Sequence, residues 1–514
     1  MRPPSRTGFL IFTLLSIGIY AEIFSYASFG PELGFFYQIN ARLSFWGMLH
    51  KYVEFGEAWY RPTAFFAPYF VISKIFGWQH ILIWKLADFL TLLAACWALY
   101  ALTLLLLPGQ QLGGFLACLY LAAHPSVYLP LFEISAFDFP YLFFVIASAI
   151  CFLRAWRAGP RAARRWNLAG VCAYALALTA KETAILTPVY LAAAAVVLLL
   201  AEGEAVTRKA RLRRAGRLLA PYAVVLGLFV LLHVTRMPER PATAAYRTRP
   251  NLARILENAR KYPLWMVHIF SHTGDTVFHA REQATPQNDV FGALVLALLL
   301  VQWGRDFRRR VNRIPALLLA LWILIFSAVP VYAGGYLWHN NLALCGYAVL
   351  AGVGLARFVE VLRSRALKRL YLVALVGVFL ALGRVDVHNA LYAGVHATAF
   401  RLNSAALFVH PPVARQKLGA APLIFIEDRL ELTRWAYGSG NLFPLVYQRP
   451  EIRQEEVPAM DHVPVELCRR WLAEKNAFFF RYDDQFRWYD ATAEFTRYAL
   501  ARLYRTKPER AASS

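Results

Sequence analysis

Charged residues are scarce in this chain of 514 residues. They make up 17% of it, whereas hydrophobic residues make up 58% and the mean hydropathy is +0.41. Soluble domains are nearer to about 25% charged and about 45–50% apolar. The aromatic content of 15% also excludes a disordered or fibrous chain. The composition therefore predicts an integral membrane protein.

Acidic residues are scarcer still: Asp and Glu number 32 against 55 Lys and Arg, which gives a net charge of +23. The basic excess lies in short runs between long apolar stretches, as in the cytoplasmic loops of polytopic membrane proteins. A stripe that binds nucleic acid is the weaker interpretation, so no nucleic-acid partner is predicted. Four arginine-rich loops and the N-terminus are predicted to be cytoplasmic, the loops being Arg154 to Arg165, Arg208 to Arg217, Arg305 to Arg313 and Arg357 to Arg369.

Cysteine is too scarce outside the apolar segments to form a disulfide framework. Only Cys468 lies in the polar tail, and the other five cysteines fall within apolar segments. A CxxC metal site in that tail is excluded for the same reason. No cofactor is predicted.

Eleven apolar segments are predicted to cross the membrane, with the N-terminus inside and the C-terminus outside. The first, Gly8–Tyr26, follows Arg2 and Arg6, and the lack of a small-residue cleavage site after it favours a retained helix over a signal peptide. The other ten are Leu82–Leu106, Leu112–Leu129, Phe139–Leu153, Trp166–Ala180, Ala184–Leu200, Leu218–Val234, Val290–Trp303, Ile314–Ala333, Leu342–Ala356 and Leu370–Leu382.

Two further apolar segments are not counted as crossings. The number of crossings between Arg6 and Arg154 must be even, because both ends are predicted to be cytoplasmic. Phe35–Phe55 is interrupted by charges and is predicted to be an interfacial helix. Pro62–Gly77 contains Pro62, Pro68 and Lys74 and is predicted to be re-entrant or to lie at the interface. The alternative assignment counts Pro62–Gly77 as spanning and drops another helix.

The tail changes character from about Val387, where short strands alternate with helices. The predicted strands are Pro422–Ile426, Phe443–Tyr447 and Phe478–Tyr482, and the predicted helices are Glu431–Tyr437, Val465–Lys475 and Thr492–Tyr504. The predicted fold class is a polytopic all-α membrane protein, with about 11 transmembrane helices plus interfacial or re-entrant helices and a small C-terminal α/β extracytoplasmic domain. Its predicted domains are 1–386 and 387–514.

Polar residues collect in the loops on the predicted outer side. The first loop has Glu32, Glu54, Glu57 and Arg61, the second has Glu133 and Asp138, and the third has Lys181 and Glu182. Ionisable residues at a membrane boundary are expensive to desolvate, and several of them converging from different loops are candidates for a functional site.

Several local patterns follow one another in a particular order. They are Tyr60-Arg61-Pro62, Ile75-Phe76-Gly77, His124-Pro125 with Glu133 and Asp138, and Lys181-Glu182 before Thr187-Pro188. This order resembles the GT-C superfamily of integral-membrane glycosyltransferases, which use polyprenyl- or dolichyl-phosphate sugars. The chain is similar to protein O-mannosyltransferases and to the bacterial lipid A aminoarabinose transferase. The resemblance covers about the first 200 residues in pattern and the rest in topology.

The resemblance implies an inverting hexosyl- or pentosyltransferase in the bacterial inner (plasma) membrane. Its partners would be a lipid-linked sugar donor, a glycan, lipid or protein acceptor, and membrane lipids. Such a reaction needs a carboxylate base for the acceptor and cations for the departing phosphate. Glu32 is the predicted base, and the predicted substrate-binding residues are Arg61, Glu133, Asp138, Lys181, Glu182 and His339.

The predicted base departs from the family pattern, in which an aspartate usually follows the first helix. This loop has no aspartate, and Glu32 is the first acidic residue after the predicted helix. Glu32 has a second interpretation as a cap of the predicted interfacial helix. The lack of a paired carboxylate also means that a tightly bound divalent cation is not indicated.

Two other functions remain open at this point. One is a transporter or flippase of polyprenyl-linked glycans, although no internal repeat is evident. The other is an O-antigen ligase-like enzyme, whose key residues would lie on the long outer loop Thr235–Asp289. That loop contains Asn251–Val267, whose periodicity predicts an amphipathic surface helix.

Overall fold

The computed structural model describes residues 6–25, 44, 46–47, 63, 67–76, 81–127, 131, 139–201, 207–236, 252–267, 286–308, 313–333, 341–392, 423–426, 454–457, 459–460, 463–473, 478–482 and 488–505. The chain divides into two compact units. The first comprises Met1–Phe24, Leu43–Leu131 and Ala136–Ala390, and the second comprises Ser25–Arg42, Phe132–Ser135 and Leu391–Ser514.

All the secondary-structure elements described in the first unit are helices. Its helices are α1 (Arg6–Tyr20), α2 (Ala67–Phe76), α3 (Ile81–Leu106), α4 (Gln111–Ala123), α5 (Phe139–Arg157), α6 (Pro160–Ala180), α7 (Thr187–Ala201), α8 (Arg208–Arg236), α9 (Leu252–Val267), α10 (Pro286–Arg308), α11 (Arg313–Ala333), α12 (Asn341–Val361) and α13 (Arg365–Tyr392). Short 3₁₀ turns cover Ala21–Ser25, Pro125–Val127 and Glu182–Leu186.

Eight helices within the described residues are long and apolar enough to cross a membrane. They identify an integral membrane protein. Two of them combine α1 and α7 with the adjoining 3₁₀ turns, as Thr7–Phe24 and Glu182–Ala201, and the other six lie in α3, α5, α8, α11, α12 and α13. The other three predicted crossings also form helices, α4, α6 and α10, but α4 has only 13 residues. Helix α6 begins with a basic turn that contains Arg161, Arg164 and Arg165. The total of about eleven crossings stays a prediction.

Helix α2 lies in the segment predicted to be re-entrant or interfacial. It has 10 residues, which at 1.5 Å per residue reach about 15 Å, half the thickness of the hydrocarbon core. The described helix is therefore too short to span the membrane by itself.

The first predicted crossing, Gly8–Tyr26, is confirmed by a candidate membrane span over Thr7–Phe24. This span consists of helix α1, which ends at Tyr20, and the 3₁₀ turn that follows. Glu22 lies in that turn, within the span, and Glu32 is the first acidic residue after the span in the sequence.

The helices differ in how much of their surface is buried. Most of the spanning parts of α3, α5 and α12 are buried, whereas those of α1, α8 and α13 are largely exposed. Exposed side chains of the outer helices include Leu228 and Val373. A large apolar surface of this kind is stable in contact with lipid and not with water. We therefore assign α3, α5 and α12 to the centre of the bundle and α1, α8 and α13 to its lipid-facing periphery.

Helices α4 and α12 approach each other closely because glycines line their contact. A Cβ atom added at Gly352 would overlap with the backbone nitrogen of Ala117 and the carbonyl oxygen of Gly113. A Cβ atom added at Gly113 would lie 3.0 Å from Val353 Cγ2. Small residues at such a contact allow backbone-to-backbone packing of membrane helices.

The second unit contains a small α/β structure. Its sheet has the order β2-β1-β3-β4, in which β1 is parallel to β2 and β3 and β4 is antiparallel to β3. The elements are β1 (Leu423–Ile426), β2 (Gln454–Val457), α14 (Val465–Ala473), β3 (Phe478–Tyr482), β4 (Trp488–Asp490) and α15 (Thr492–Arg505).

Both helices of this unit share one hydrophobic core with the sheet. Trp471 of α14 and Phe495 of α15 pack on Phe479 of β3, whose ring is stacked on that of Phe495 with centroids 3.9 Å apart. Cys468 is fully buried in the same core, and this burial raises the pKa of its thiol above the ordinary value.

The predicted elements of the tail compare as follows with the described residues. The strands predicted over Pro422–Ile426 and Phe478–Tyr482 are confirmed as β1 and β3, and the helices predicted over Val465–Lys475 and Thr492–Tyr504 are confirmed as α14 and α15. Strands β2 and β4 were not predicted. The predicted elements Glu431–Tyr437 and Phe443–Tyr447 lie outside the described residues.

Candidate functional site

Lys181 forms the turn between α6 and α7. Its extended backbone (φ −157°, ψ 133°) interrupts the helix, while its N–H still donates to the Ala177 carbonyl over 2.9 Å. Its own carbonyl accepts from Ala184 N over 3.1 Å, at the 3₁₀ turn that Glu182 begins. The break thus leaves no unpaired backbone group on Lys181, and its side chain is only 2% exposed.

The ammonium group of Lys181 lies over an aromatic ring. Its Nζ is 4.9 Å from the centroid of Tyr141, which lies in the first turn of α5 and is 1% exposed. This is within the range of a cation–π interaction, and such an interaction is stronger where water is excluded. Asp138, the predicted acid of the second loop, directly precedes α5 in the sequence. The contact between Lys181 and Tyr141 therefore brings the Lys181 turn to the end of α5 that follows Asp138.

A hydrogen bond joins the first loop to the same turn. The hydroxyl oxygens of Thr63 and Thr179 are 2.7 Å apart, and either hydroxyl can be the donor. The Thr179 oxygen also lies 3.1 Å from the Ala175 carbonyl oxygen. Thr63 follows Arg61 by two residues, and Thr179 precedes Lys181 by two.

A second polar contact anchors the segment that precedes Glu133. Lys85 of α3 is buried and donates from Nζ to the carbonyl oxygen of Leu131 over 2.6 Å. Asp88, one turn further along α3, is also fully buried. The sequence places Leu131 two residues before Glu133.

His124 connects the end of α4 to the amphipathic helix α9. Its Nδ1 accepts from the Ser126 N–H over 3.2 Å, so the proton belongs on Nε2, which donates to the Trp265 carbonyl over 3.2 Å. Tyr120 donates to the next carbonyl, that of Met266, over 2.8 Å. Both nitrogens of the imidazole are therefore used in structural contacts.

Helix α9 confirms the predicted amphipathic helix. Its inward side includes Tyr262 and Met266, which are buried, and Asn258, which donates to the Val331 carbonyl over 3.0 Å. Leu252 and Leu256 on the other side are 70% and 61% exposed.

Glu22 contacts two side chains near the end of α13. One of its carboxylate oxygens pairs with Arg384 and the other lies 3.3 Å from His388 Nδ1. No local sequence pattern indicates this cluster, because its members lie at opposite ends of the helical region. A carboxylate held between an arginine and a histidine is poorly placed to take a proton from an acceptor, so Glu22 does not replace Glu32 as the candidate base.

The structure describes two of the predicted site residues, Lys181 and Glu182. The others lie outside the described residues, and they are Glu32, Arg61, Glu133, Asp138 and His339. Their roles stay predictions. Within the described part of the chain, no group of three or more His, Cys, Asp or Glu side chains is arranged to hold a metal ion.

No protein-family model matches this sequence, and no curated protein matches it. Solved structures do match. ArnT from Cupriavidus metallidurans bound to undecaprenyl phosphate is 16% identical, with 94% of each chain covered and a TM-score of 0.52. The apo state of the same protein is 14% identical, with 93% of this chain and 94% of that chain covered and a TM-score of 0.51.

A second relative has the same architecture over less of its own length. The Archaeoglobus fulgidus oligosaccharyltransferase in complex with zinc and sulfate is 13% identical, with 92% of this chain and 67% of that chain covered and a TM-score of 0.50. The predicted resemblance is thus confirmed for the fold: over more than nine-tenths of its length, the chain is similar in structure to GT-C glycosyltransferases.

Proposed function

We propose that this protein is an inverting glycosyltransferase, which moves a sugar from a polyprenyl-phosphate carrier to an acceptor on the outer face of the membrane. The observation that carries the proposal is the buried cation Lys181 at a helix turn, in a chain whose fold is that of ArnT. Buried cations within a membrane protein are costly and typically mark a functional site. ArnT was solved with undecaprenyl phosphate, which is a carrier of the required chemical class.

The reaction requires one displacement at the anomeric carbon. The acceptor hydroxyl or amine attacks that carbon as its proton passes to Glu32, and the bond from the carbon to the phosphate oxygen breaks. The polyprenyl phosphate leaves with the bonding electron pair, and the configuration of the sugar is inverted. Lys181 and Arg61 stabilise the charge that develops on the departing phosphate, because charge-assisted hydrogen bonds to an oxyanion are strong.

The remaining predicted residues take part in binding. Glu133, Asp138 and Glu182 offer acceptors for sugar or acceptor hydroxyls, and His339 offers a donor to the phosphate. The proposed orientation has the N-terminus in the cytoplasm and residues 387–514 outside, and the proposed location is the bacterial inner membrane. No step in this mechanism passes through a metal ion.

The test is transfer by the purified protein in lipid nanodiscs. The wild type is incubated with a panel of radiolabelled polyprenyl-phosphate sugars and cell-envelope acceptors, and released polyprenyl phosphate and labelled product are measured. We expect one donor to be consumed and Lys181→Met to lower kcat/KM roughly 10²-fold or more.

Lys209→Met is the matched control, because Lys209 is an exposed lysine at the start of α8 and should retain the wild-type rate. A wild-type protein that moves labelled carrier between leaflets without cleaving it would overturn the transferase and establish a flippase.

A further inference from the structure

We infer that Tyr141 is a positioning residue for the carrier's phosphate: its ring face holds the ammonium group of Lys181 in place for that phosphate. The inference rests on the proposed function, and it assigns to a residue of α5 a role that neither the motifs nor the comparisons indicate.

The contact joins two parts of the helical unit. Lys181 lies in the turn after α6 and Tyr141 in the first turn of α5, and the two side chains are 2% and 1% exposed. The Nζ atom lies 4.9 Å from the ring centroid. Both partners are therefore withdrawn from bulk water, which is the condition under which a ring face attracts a cation most strongly.

Lysine needs such a partner more than arginine does. Its charge sits at the end of a flexible four-carbon stem and is strongly hydrated, so a buried lysine loses both hydration and rotamer freedom. A neighbouring ring face replaces part of the lost hydration with the field of its quadrupole. It also restricts the position of the ammonium group.

A ring face suits an anion-binding lysine because it uses none of the donors. An ammonium group has three N–H donors, and contact with a π system does not consume any of them as a hydrogen bond to a carboxylate would. A ring also carries no net charge, so it does not repel the phosphate that the lysine is to bind. Tyr141 thus orients Lys181 without neutralising it.

The experiment weakens the negative potential of the ring face in steps and keeps the size of the ring nearly constant. Position 141 is replaced by Phe and then, through nonsense suppression, by mono-, di- and trifluorinated Phe, which progressively weaken the negative ring face. The affinity of each variant for undecaprenyl phosphate is measured in nanodiscs, together with KM and kcat for the donor that the transfer assay selects.

We expect Tyr141→Phe to bind within about twofold of wild type and the trifluorinated ring to bind roughly tenfold more weakly, since the cation–π attraction is mostly lost. The loss should appear in the Kd and in KM for the donor, with kcat changed less. In a Lys181→Met background the same series should have no effect, because there is no cation to attract.

Tyr174 provides the matched control. It is a fully buried tyrosine of α6 whose ring faces Tyr222, with centroids 5.7 Å apart, rather than a lysine. Fluorination at position 174 should leave the affinity for undecaprenyl phosphate unchanged, and an equal loss there would refute an electrostatic role that is specific to Tyr141.

Two failures are distinguishable. In the first, the wild type binds undecaprenyl phosphate and Lys181→Met abolishes binding, but the affinity does not change along the fluorinated series at position 141. Tyr141 is then only a packing residue, and the proposed function stands. If the wild type does not bind undecaprenyl phosphate at all, the proposed function and this inference both fall.

Discussion

Thr63 and Thr179 share a hydrogen bond although 116 residues separate them, and their hydroxyl oxygens are 2.7 Å apart. The bond attaches the loop that contains Arg61 to the turn that contains Lys181. Removing one partner of a part-buried hydrogen bond costs about 1 kcal/mol or more. The fold should survive this loss, whereas a site made from both segments should be disturbed.

Thr63→Val therefore tests whether the two segments act together. Valine has the shape of threonine without the hydroxyl, and we expect KM for the carrier-linked donor to rise several-fold with little change in the thermal midpoint. Thr63→Ser keeps the hydroxyl and should behave like the wild type. An unchanged KM in Thr63→Val would show that the bond has no part in donor binding.

Gly352 allows a direct test of the central helix packing. A side chain there would meet the backbone of α4 at Gly113 and Ala117, and backbone cannot move aside as a flexible side chain can. We expect Gly352→Ala to destabilise the protein by about 1–3 kcal/mol, the usual cost of overpacking. The thermal midpoint in detergent measures it.

Gly377→Ala is the control for this substitution. Gly377 lies within α13, and a Cβ added there meets no described atom within 4 Å. Alanine has the higher helix propensity by about 1 kcal/mol, so this variant should be neutral or slightly more stable. A stable Gly352→Ala protein would contradict the close approach of α4 and α12.

The predicted orientation can be tested with single cysteines in a background in which all six native cysteines are replaced by serine or alanine. Arg469→Cys places an exposed thiol on α14, beside the buried position 468, and Ala210→Cys places one in a basic loop on α8. A membrane-impermeant maleimide should label position 469 in intact cells and position 210 only after permeabilisation. The reverse pattern would overturn the orientation.

Native Cys468 gives an internal check on the fold of the second unit. Burial raises the pKa of its thiol, so the reactive thiolate is depleted at neutral pH and forms only as the pH rises above the ordinary value of about 8.5. We expect native Cys468 to resist the same maleimide at pH 7 and to react once the protein is unfolded.

Much of the fold could be predicted from local patterns, and the site could be predicted only in part. Long apolar runs predicted the long helices, and a short aromatic run predicted β3. The length and period of a hydrophobic run indicate which element can bury it. Strand β2 (Gln454–Val457) was missed because its Gln-Glu-Glu sequence at a sheet edge lacks that signal. Lys181 was found as a charge between two apolar helices.

Contacts between distant parts of the chain leave no local trace in a single sequence. The pairing of Glu22 with Arg384 depends on how α1 and α13 pack, and nothing near either residue indicates the other. The same holds for Tyr141 beneath Lys181. These relationships follow from tertiary packing, which the hydrophobic period does not specify.

The proposed base leads to the sharpest functional test. Replacing Glu32 with glutamine keeps the size and hydrogen-bonding capacity of the side chain but removes the proton acceptor. Loss of a general base typically lowers the rate by ~10²–10⁴-fold, whereas loss of a helix cap costs only about 1 kcal/mol of stability. We therefore expect Glu32→Gln to lower kcat by that factor while undecaprenyl phosphate still binds.

Glu22→Gln tests whether Glu22, rather than Glu32, is the base. Glu22 is paired with Arg384, so its amide variant should lower the thermal midpoint and keep most of the transfer rate. If instead Glu22→Gln loses transfer while Glu32→Gln retains it, the base has been assigned to the wrong carboxylate. A rate that depends on proton removal must fall when the proton acceptor is removed. If both variants, and the amide variants of Glu54 and Glu57, all transfer sugar at the normal rate, then no carboxylate of the first loop acts as the base.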